Sequence, residues 1–211
     1  MKIITVVYKQ VGNQVFTMNK ILTIFALPFL ILHLIVRFFG SASQLCEEDQ
    51  VFTRRHRGNP FNNKILQFAY YICRLPEYRS VFYRRSGIWG RIMNFYLPGQ
   101  KCLYIRTSQM GGGVCVNHGH STEINAKRIG SNCHIFQNVT IGTNGSATGP
   151  IIGDNCFFGA GCVVLGNIKI GNNVKVGANA IVVKDIPDNC TVVTKGTAIV
   201  MRDGEKVNIS L

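Results

Sequence analysis

Apolar residues recur every six positions through the second half of the chain. The repeated positions are Ile129, Ile135, Ile141, Ile152, Phe158, Val164, Ile170, Val176 and Val182. Most are followed, four positions later, by another small or apolar residue: Cys133, Val139, Cys156, Cys162, Ile168, Val174, Ala180 and Ile186. A period of six fits neither an α-helix nor a simple alternating strand, but it is typical of a parallel β-helix, in which three units close one triangular coil. We therefore predict an all-β parallel β-helix with both sets of positions in its core.

The corners of these coils carry two further signals. Glycine follows six of the nine repeated positions, so we expect it to serve either a positive φ angle or a close approach of stacked backbones. Eleven positions separate Ile141 from Ile152, so the small, polar segment 143–150 is predicted to leave the coil as a loop. Such a loop is either a binding element on a rigid scaffold or a tolerated surface insertion.

The first hundred residues lack this repeat and contain a long apolar segment. No charge interrupts Ile21 to Val36, and Arg37-Phe38-Phe39 follows. Because a membrane-spanning helix needs about 20 apolar residues, we interpret segment 21–39 as a helix on a membrane surface. One alternative is a helix buried against the rest of the protein. The other is a signal peptide, which would fit best if Met18 rather than Met1 were the true start.

Positive charge is concentrated in the same part of the chain. The net charge is +13, and residues 1–100 hold thirteen Lys and Arg against four acids. Clusters such as Arg54-Arg55-His56-Arg57 and Arg84-Arg85 suit anionic lipid or phosphorylated substrates. No nucleic-acid-binding motif accompanies them, so we expect no nucleic-acid partner.

The eight cysteines are interpreted as free thiols rather than disulfides or metal ligands. Cys133, Cys156 and Cys162 fall on predicted core positions, where a small apolar side chain is suitable. No Cys-x-x-Cys pair or Cys/His metal spacing occurs, so we expect a reducing compartment and no bound metal.

A histidine-containing segment just before the first clear repeat is the candidate for chemistry. In Val114-Cys-Val-Asn-His118-Gly-His120, the alternation of valines places both histidines on one face and Asn117 on the other. Histidine suits the removal of a proton from a hydroxyl group, although a single histidine is more often structural. We expect loop 143–150 to lie near His118, which favours the catalytic interpretation.

These motifs resemble the hexapeptide-repeat acyltransferases, in particular their serine acetyltransferase-like branch. The resemblance covers about residues 100–192 and depends on segments 116–119, 135–142, 152–156, 159–161 and 165–171. It implies a left-handed β-helix over 100–192, preceded by a basic, mainly helical region over 1–99 and followed by a tail at 193–211. It also implies a homotrimer with active sites between subunits, acetyl-CoA as acyl donor, and no metal.

The resemblance also assigns roles to individual residues. His118 matches the family's general base, and such a base typically contributes about 10²- to 10⁴-fold in rate. Positions that match contacts to coenzyme A are Gly142, Ala160 and Ala178, with Lys184 near a coenzyme phosphate. Asn117 and His120 are the candidate acceptor-binding residues. Glu123 and His120 are also the candidates for orienting His118, because Leu103 stands where the family has an orienting aspartate.

Departures from the family pattern bear on the acceptor. Asn117 replaces an aspartate, and Gly149-Pro150 leads directly to Ile151 without the Arg-His-Pro that follows the loop in serine acetyltransferases. An amino-acid carboxylate would therefore lack its bidentate arginine, whereas a sugar hydroxyl needs none. We expect an O-acetyltransferase for a sugar or polysaccharide precursor, in the cytoplasm and peripheral to the inner face of the membrane. Serine O-acetylation and a non-catalytic interaction role are the alternatives.

Overall fold

The computed structural model describes residues 18–58, 61–145, 148–194, 198–202 and 205–210. Predictions for residues 1–17, and for part of the tail at 193–211, lie outside these residues. The described chain has two parts: a helical leader, and a parallel β-helix whose strands run from Leu103 to Val192.

Five helices form the leader. They are α1 (Met18–Phe39, with a 3-10 segment at Leu27–Leu30), α2 (Ser43–Arg57), α3 (Lys64–Arg74), α4 (Pro76–Arg85) and α5 (Gly87–Tyr96). Local sequence explains several boundaries. The Asn63 side chain caps α3 by accepting hydrogen bonds from the backbone N–H groups of Ile65 and Leu66. Pro76 occupies the first turn of α4, where its missing N–H costs nothing.

Short parallel strands build three faces of a triangular prism. The first face contains β1 (Leu103–Ile105), β4 (Thr122–Ile124), β7 (Thr140–Gly142), β10 (Val163–Leu165) and β13 (Ile181–Val182). The second contains β2 (Gln109–Met110), β5 (Arg128–Ile129), β8 (Ile151–Ile152) and β11 (Lys169–Ile170). The third contains β3 (Cys115–Val116), β6 (His134–Ile135), β9 (Phe157–Phe158), β12 (Lys175–Val176) and β14 (Thr191–Val192). Beyond them, β15 (Ala198–Arg202) pairs with β16 (Glu205–Ser210) in antiparallel fashion.

The strand register confirms the predicted core. On the third face Ile135 pairs with Phe158, and Phe158 pairs with Val176, so the repeated positions stack into one column per face. All nine repeated residues and all eight of their small or apolar companions are buried. The six-residue period therefore corresponds to one strand and one corner per unit, as expected.

Close packing, not a positive φ angle, explains the glycines after the repeated positions, with the exception of Gly142. A Cβ atom on Gly130 would lie 2.6 Å from the carbonyl oxygen of Gly153, and one on Gly159 would lie 2.7 Å from the backbone nitrogen of Ala178. Asparagines take the left-handed conformation instead, at Asn132, Asn138, Asn155, Asn173, Asn179 and Asn189. Asparagine tolerates this conformation better than most residues because its short polar side chain can bond locally.

The leader packs on the end of the β-helix that is formed by its first coil. Val81 of α4 joins the β-helix core and is fully buried. Beside it, Arg85 forms a buried ion pair with Asp49 of α2, with 2.9 Å between Nη2 and Oδ1. Asp49 also accepts a hydrogen bond from the backbone N–H of Val114, and Arg85 donates to the carbonyl oxygen of Met110. These contacts fix both helices to the first coil.

Replacing Phe158 by alanine should test the importance of the columns. Its side chain is fully buried in the third face, so Phe158→Ala is expected to lower the free energy of unfolding by about 3–5 kcal/mol. The matched control is Ile181→Ala on the first face, where the side chain is 71% exposed and the expected change is about 0.5 kcal/mol or less. Equal losses in denaturant unfolding would contradict the assignment of inward positions.

Acid should weaken the protein through two buried histidines. Burial lowers the pKa of His33 to about 4, with a smaller contribution from Arg79. Burial, followed by the charges of His56 and Arg57, lowers the pKa of His134 to about 4. Between pH ~6.5 and 4 the unfolded chain takes up protons that the folded chain does not, so stability should fall as pH decreases through this range.

His134→Phe provides the test of this dependence. The Nε2 atom of His134 has no hydrogen-bond partner among the described residues, so phenylalanine can replace the ring without leaving a partner unpaired. The slope of unfolding free energy against pH should become shallower by up to one proton. An unchanged slope would show that His134 is not held neutral.

Candidate active site

His118 lies at the corner between the third and first faces, in the turn that joins β3 to β4. Its φ angle is 63°, and Gly119 (39°) and Ser121 (48°) are also left-handed. Asn138 and Asn179 take the same conformation further along this edge, so the φ angle of His118 reflects the geometry of the corner. The imidazole of His118 is exposed and has no hydrogen bond to a described residue. It is therefore accessible to a substrate.

Gly119 is required by both its backbone and its surroundings. A Cβ atom there would lie 3.2 Å from Cδ2 of Leu103 and 3.4 Å from Cβ of Glu77. Leu103, which the resemblance matched to an orienting aspartate, therefore lies against the turn as an apolar contact. The histidine turn rests directly on the first strand and on the leader.

Neither predicted orienting group contacts the His118 ring. The Nδ1 atom of His120 lies 2.9 Å from Nε2 of Gln100, and the carboxylate of Glu123 lies 3.4 Å from Nε of Arg106. Both side chains are engaged away from His118. His120 is also exposed, but both histidines lie in the turn after β3, so strand alternation does not determine where their side chains lie.

Asn117 is buried and bonds to the leader. Its Oδ1 accepts a hydrogen bond from Nη1 of Arg57 at 3.4 Å, and Nη2 of Arg57 pairs with Oε1 of Glu77 at 2.7 Å. Nothing in the local sequence pointed to Arg57 or Glu77 as parts of the site. Arg57 was grouped with a basic cluster, and Glu77 lies forty positions before Asn117. This three-residue contact, here called the Arg57 bridge, fixes the backbone just before His118.

Cys115 is the thiol closest in sequence to His118, but it is not a nucleophile. Burial raises its pKa to about 12, and its Sγ atom lies 3.7 Å from Oδ1 of Asn117. A thiol nucleophile must be ionised, so Cys115 stays inert near neutral pH.

The remaining predicted residues divide between two edges of the prism. The histidine edge, between the third and first faces, carries His118 and His120 in one coil, Gln137 in the next, and Ala160 and Ala178 in the two coils after that. Backbone hydrogen bonds connect this edge: Asn138 N–H donates to the carbonyl of His120, and Asn179 N–H donates to that of Ala160. Gln137 on the same edge has a buried Oε1 without a partner among the described residues. A buried acceptor of this kind is normally bonded, either to an ordered water or to a donor from another molecule.

The loop edge, between the first and second faces, carries Gly142, Lys184 and the extruded loop. A Cβ atom on Gly142 would meet only Cδ2 of Leu165, at 3.8 Å, so the backbone there has open space beside it. Lys184 is exposed. The expectation that the loop lies near His118 is wrong within a single chain, because the width of the first face separates the two edges.

No group of three or more His, Cys, Asp or Glu side chains within the described part of the chain is arranged to hold a metal ion.

Comparison with known proteins agrees with this architecture. Residues 149–184 match the family model of the bacterial transferase hexapeptide, described as six repeats. In this region the chain resembles the hexapeptide-repeat acyltransferases. It is 39% identical over 105 residues to a serine acetyltransferase of Synechococcus elongatus, covering 48% of this chain and 43% of that one. It is 41% identical over 104 residues to a serine acetyltransferase of Staphylococcus xylosus, covering 47% and 48%.

A solved structure extends the similarity into the leader. Serine acetyltransferase isoform 3 of Entamoeba histolytica, in complex with cysteine, superposes with a TM-score of 0.59 at 25% identity, covering 79% of this chain and 63% of that one. The hexapeptide-repeat domain thus has the left-handed β-helix fold. The matched segment spans less than half the length of the two bacterial relatives.

The Arg57 bridge predicts a specific effect at the site. Arg57→Gln leaves the largely buried Glu77 carboxylate without its cation, so we expect the free energy of unfolding to fall by about 2 kcal/mol and the turn at His118 to loosen. Arg55→Gln removes an exposed side chain of the same helix and is the matched control. Chemical-shift changes in the His118 imidazole should appear in Arg57→Gln and not in Arg55→Gln; the same spectrum for both would contradict the bridge.

Proposed function

We propose that the chain is an acetyl-CoA-dependent O-acetyltransferase in which His118 is the general base. One observation carries this proposal: His118 is exposed at a corner of a hexapeptide-repeat β-helix, and its backbone there is in the left-handed conformation. The two bacterial relatives, both serine acetyltransferases, support the same chemistry.

The proposed reaction needs one proton acceptor and one oxyanion site. The His118 imidazole takes the proton of the acceptor hydroxyl as its oxygen attacks the thioester carbonyl carbon. The resulting oxyanion is stabilised by backbone N–H groups at the coil corners. As the carbon–sulfur bond breaks, the imidazolium returns the proton to the leaving thiolate, and the products are an acetyl ester and free coenzyme A.

Assembly as a homotrimer would complete the site. Ala160 and Ala178 lie on the histidine edge, whereas Gly142 and Lys184 lie on the loop edge, so one chain alone cannot place all four along one bound coenzyme. A second copy whose loop edge faces the histidine edge of the first would bring the two sets together. The unpaired Oε1 of Gln137 on the histidine edge is available for a donor from that copy or from the coenzyme.

L-Serine is the acceptor that the comparisons favour. The sequence led us to expect a sugar, but both bacterial relatives are named serine acetyltransferases, and they support the serine alternative better. We therefore propose serine as the first acceptor to test, and the cytoplasm as the compartment, where acetyl-CoA is made and thiols remain reduced. All eight cysteines are free thiols in the structure.

A sugar hydroxyl is the second candidate, favoured because neither of two expected positions offers a free arginine for a carboxylate. No arginine follows the loop at Gly149-Pro150-Ile151, and Arg57 already pairs with Glu77. Neither position supplies a free guanidinium for the serine carboxylate. An uncharged acceptor would not need one.

Thiol release from acetyl-CoA distinguishes the candidates. With purified protein, release that saturates with L-serine supports the first acceptor, and the amino alcohol lacking the carboxylate should then react more slowly. Release with sugars or nucleotide sugars and none with serine would overturn the serine assignment. If no acceptor supports release and calorimetry detects no coenzyme A binding, the domain is a non-catalytic interaction module and the proposal is wrong.

A further inference from the structure

Helices α1 and α5 each present a continuous apolar stripe to solvent. On α1 the exposed large side chains are Met18, Ile21, Leu22, Ile24, Phe25, Phe29, Ile31, Ile35, Phe38 and Phe39. On α5 they are Ile88, Trp89, Ile92, Phe95 and Tyr96. Phe29 is 80% exposed and Phe95 is 91% exposed. Isolated exposed apolar residues are ordinary, but a patch this large on adjoining helices marks an interaction surface.

The two stripes belong to adjacent helices that are firmly joined. The fully buried ring of His33 in α1 forms one hydrogen bond with the hydroxyl of Tyr83 (2.9 Å) and another with the hydroxyl of Tyr96 (3.2 Å). Its ring meets the Tyr96 ring edge-on at a centroid distance of 5.6 Å. The apolar stripes therefore form one surface, here called the α1/α5 surface.

The opposite face of α1 is anchored in the leader by polar groups. Arg37 is 2% exposed and donates hydrogen bonds to the carbonyl of Ser43 and to Oε1 of Gln50. By length and composition Met18–Phe39 could cross a membrane, since it has 22 residues. Crossing would break the buried contacts of both Arg37 and His33 and would place His33 in hydrocarbon, at a substantial cost. The helix is therefore held along the protein surface.

Positive charge borders this surface. An open groove of about 910 Å³ runs beside α5, and its lining includes Arg84, Arg91, Lys101 and Arg106 but no Asp or Glu. Glu123, just outside the lining, pairs with Arg106. The apolar stripe of α5 thus lies next to three cations not paired with a described carboxylate. Apolar side chains flanked by Lys and Arg are the combination that binds the interface of anionic bilayers.

We propose that the α1/α5 surface docks on the surface of an anionic lipid bilayer, with α1 lying in the interface and not crossing it. The apolar stripes enter the boundary between headgroups and acyl chains, and the cations of the groove bind lipid phosphates. The proposal is independent of which acceptor the enzyme uses. Docking of this surface would hold the protein, with its histidine edge, at the membrane.

Vesicle co-flotation tests this docking with the purified full-length chain. We expect binding to vesicles of phosphatidylcholine with phosphatidylglycerol, and weaker binding to phosphatidylcholine alone. Changing Phe29, Phe39 and Phe95 together to serine should lower the partition coefficient about tenfold or more. Arg91→Gln and Lys101→Gln should each lower it about fivefold, only when phosphatidylglycerol is present. No binding by the wild-type chain would overturn the proposal.

A matched control uses exposed apolar residues of the β-helix. Changing Ile181, Val183 and Val193 to serine removes side chains that are 53–71% exposed but lie far from the leader, and should leave partitioning unchanged. Equal losses in the two triple variants would overturn the assignment of the surface. A second result would also overturn the assignment. If the wild-type chain does not bind vesicles, and light scattering shows that it self-associates whereas the α1/α5 triple variant does not, then a second copy of the chain covers the surface. Alkaline carbonate should release the bound protein; retention would mean that α1 spans the bilayer.

Discussion

A stack of coils buries its core only if its open end is covered. Within the β-helix, parallel pairing joins each coil to the next. The first coil has no coil before it, so its apolar residues, such as Val114 and Val116, would be exposed unless another element packed on them. In this chain the leader supplies that cover through Val81 and the buried pair of Asp49 and Arg85. The leader is therefore part of the folded unit of the β-helix and not an independent appendage.

This requirement also explains the position of the candidate active site. His118 follows the first coil directly, so its turn lies where the leader meets the β-helix. The Arg57 bridge anchors Asn117 from α2, while Glu77 and Leu103 press against Gly119. The left-handed backbone conformation of His118 is thus held from both sides. The same leader carries the α1/α5 surface, so the candidate active site and the proposed docking surface share one support.

The sequence predicted the β-helix well because its period is local and repeated. Each inward position could be assigned by counting, and the register confirms those assignments. Counting left the role of the glycines open, since a one-dimensional pattern does not separate a positive φ angle from close packing. The error about the position of the loop was avoidable. Successive hexads follow the three edges in turn, and the chain between His118 and residue 143 does not end at the edge where it began.

The missed residues could not have been found from spacing. Arg57 reaches Asn117 across sixty positions, and Asp49 reaches Val114 across sixty-five. Both contacts depend on how the helices pack on the first coil, which no local motif encodes. The apolar character of segment 21–39 was evident from the sequence, but the joined stripe of α5 required the structure, because the two helices are far apart in the chain.

The central claim is that His118 takes the proton of the acceptor. The most direct test compares thiol release from acetyl-CoA by the wild-type chain and by His118→Ala, after an acceptor has been established and equal thermal stability of the two proteins has been shown. We predict a loss of about 10²-fold or more, as expected for removal of a general base, with coenzyme A binding in calorimetry retained. An unchanged rate of thiol release in His118→Ala would contradict the account.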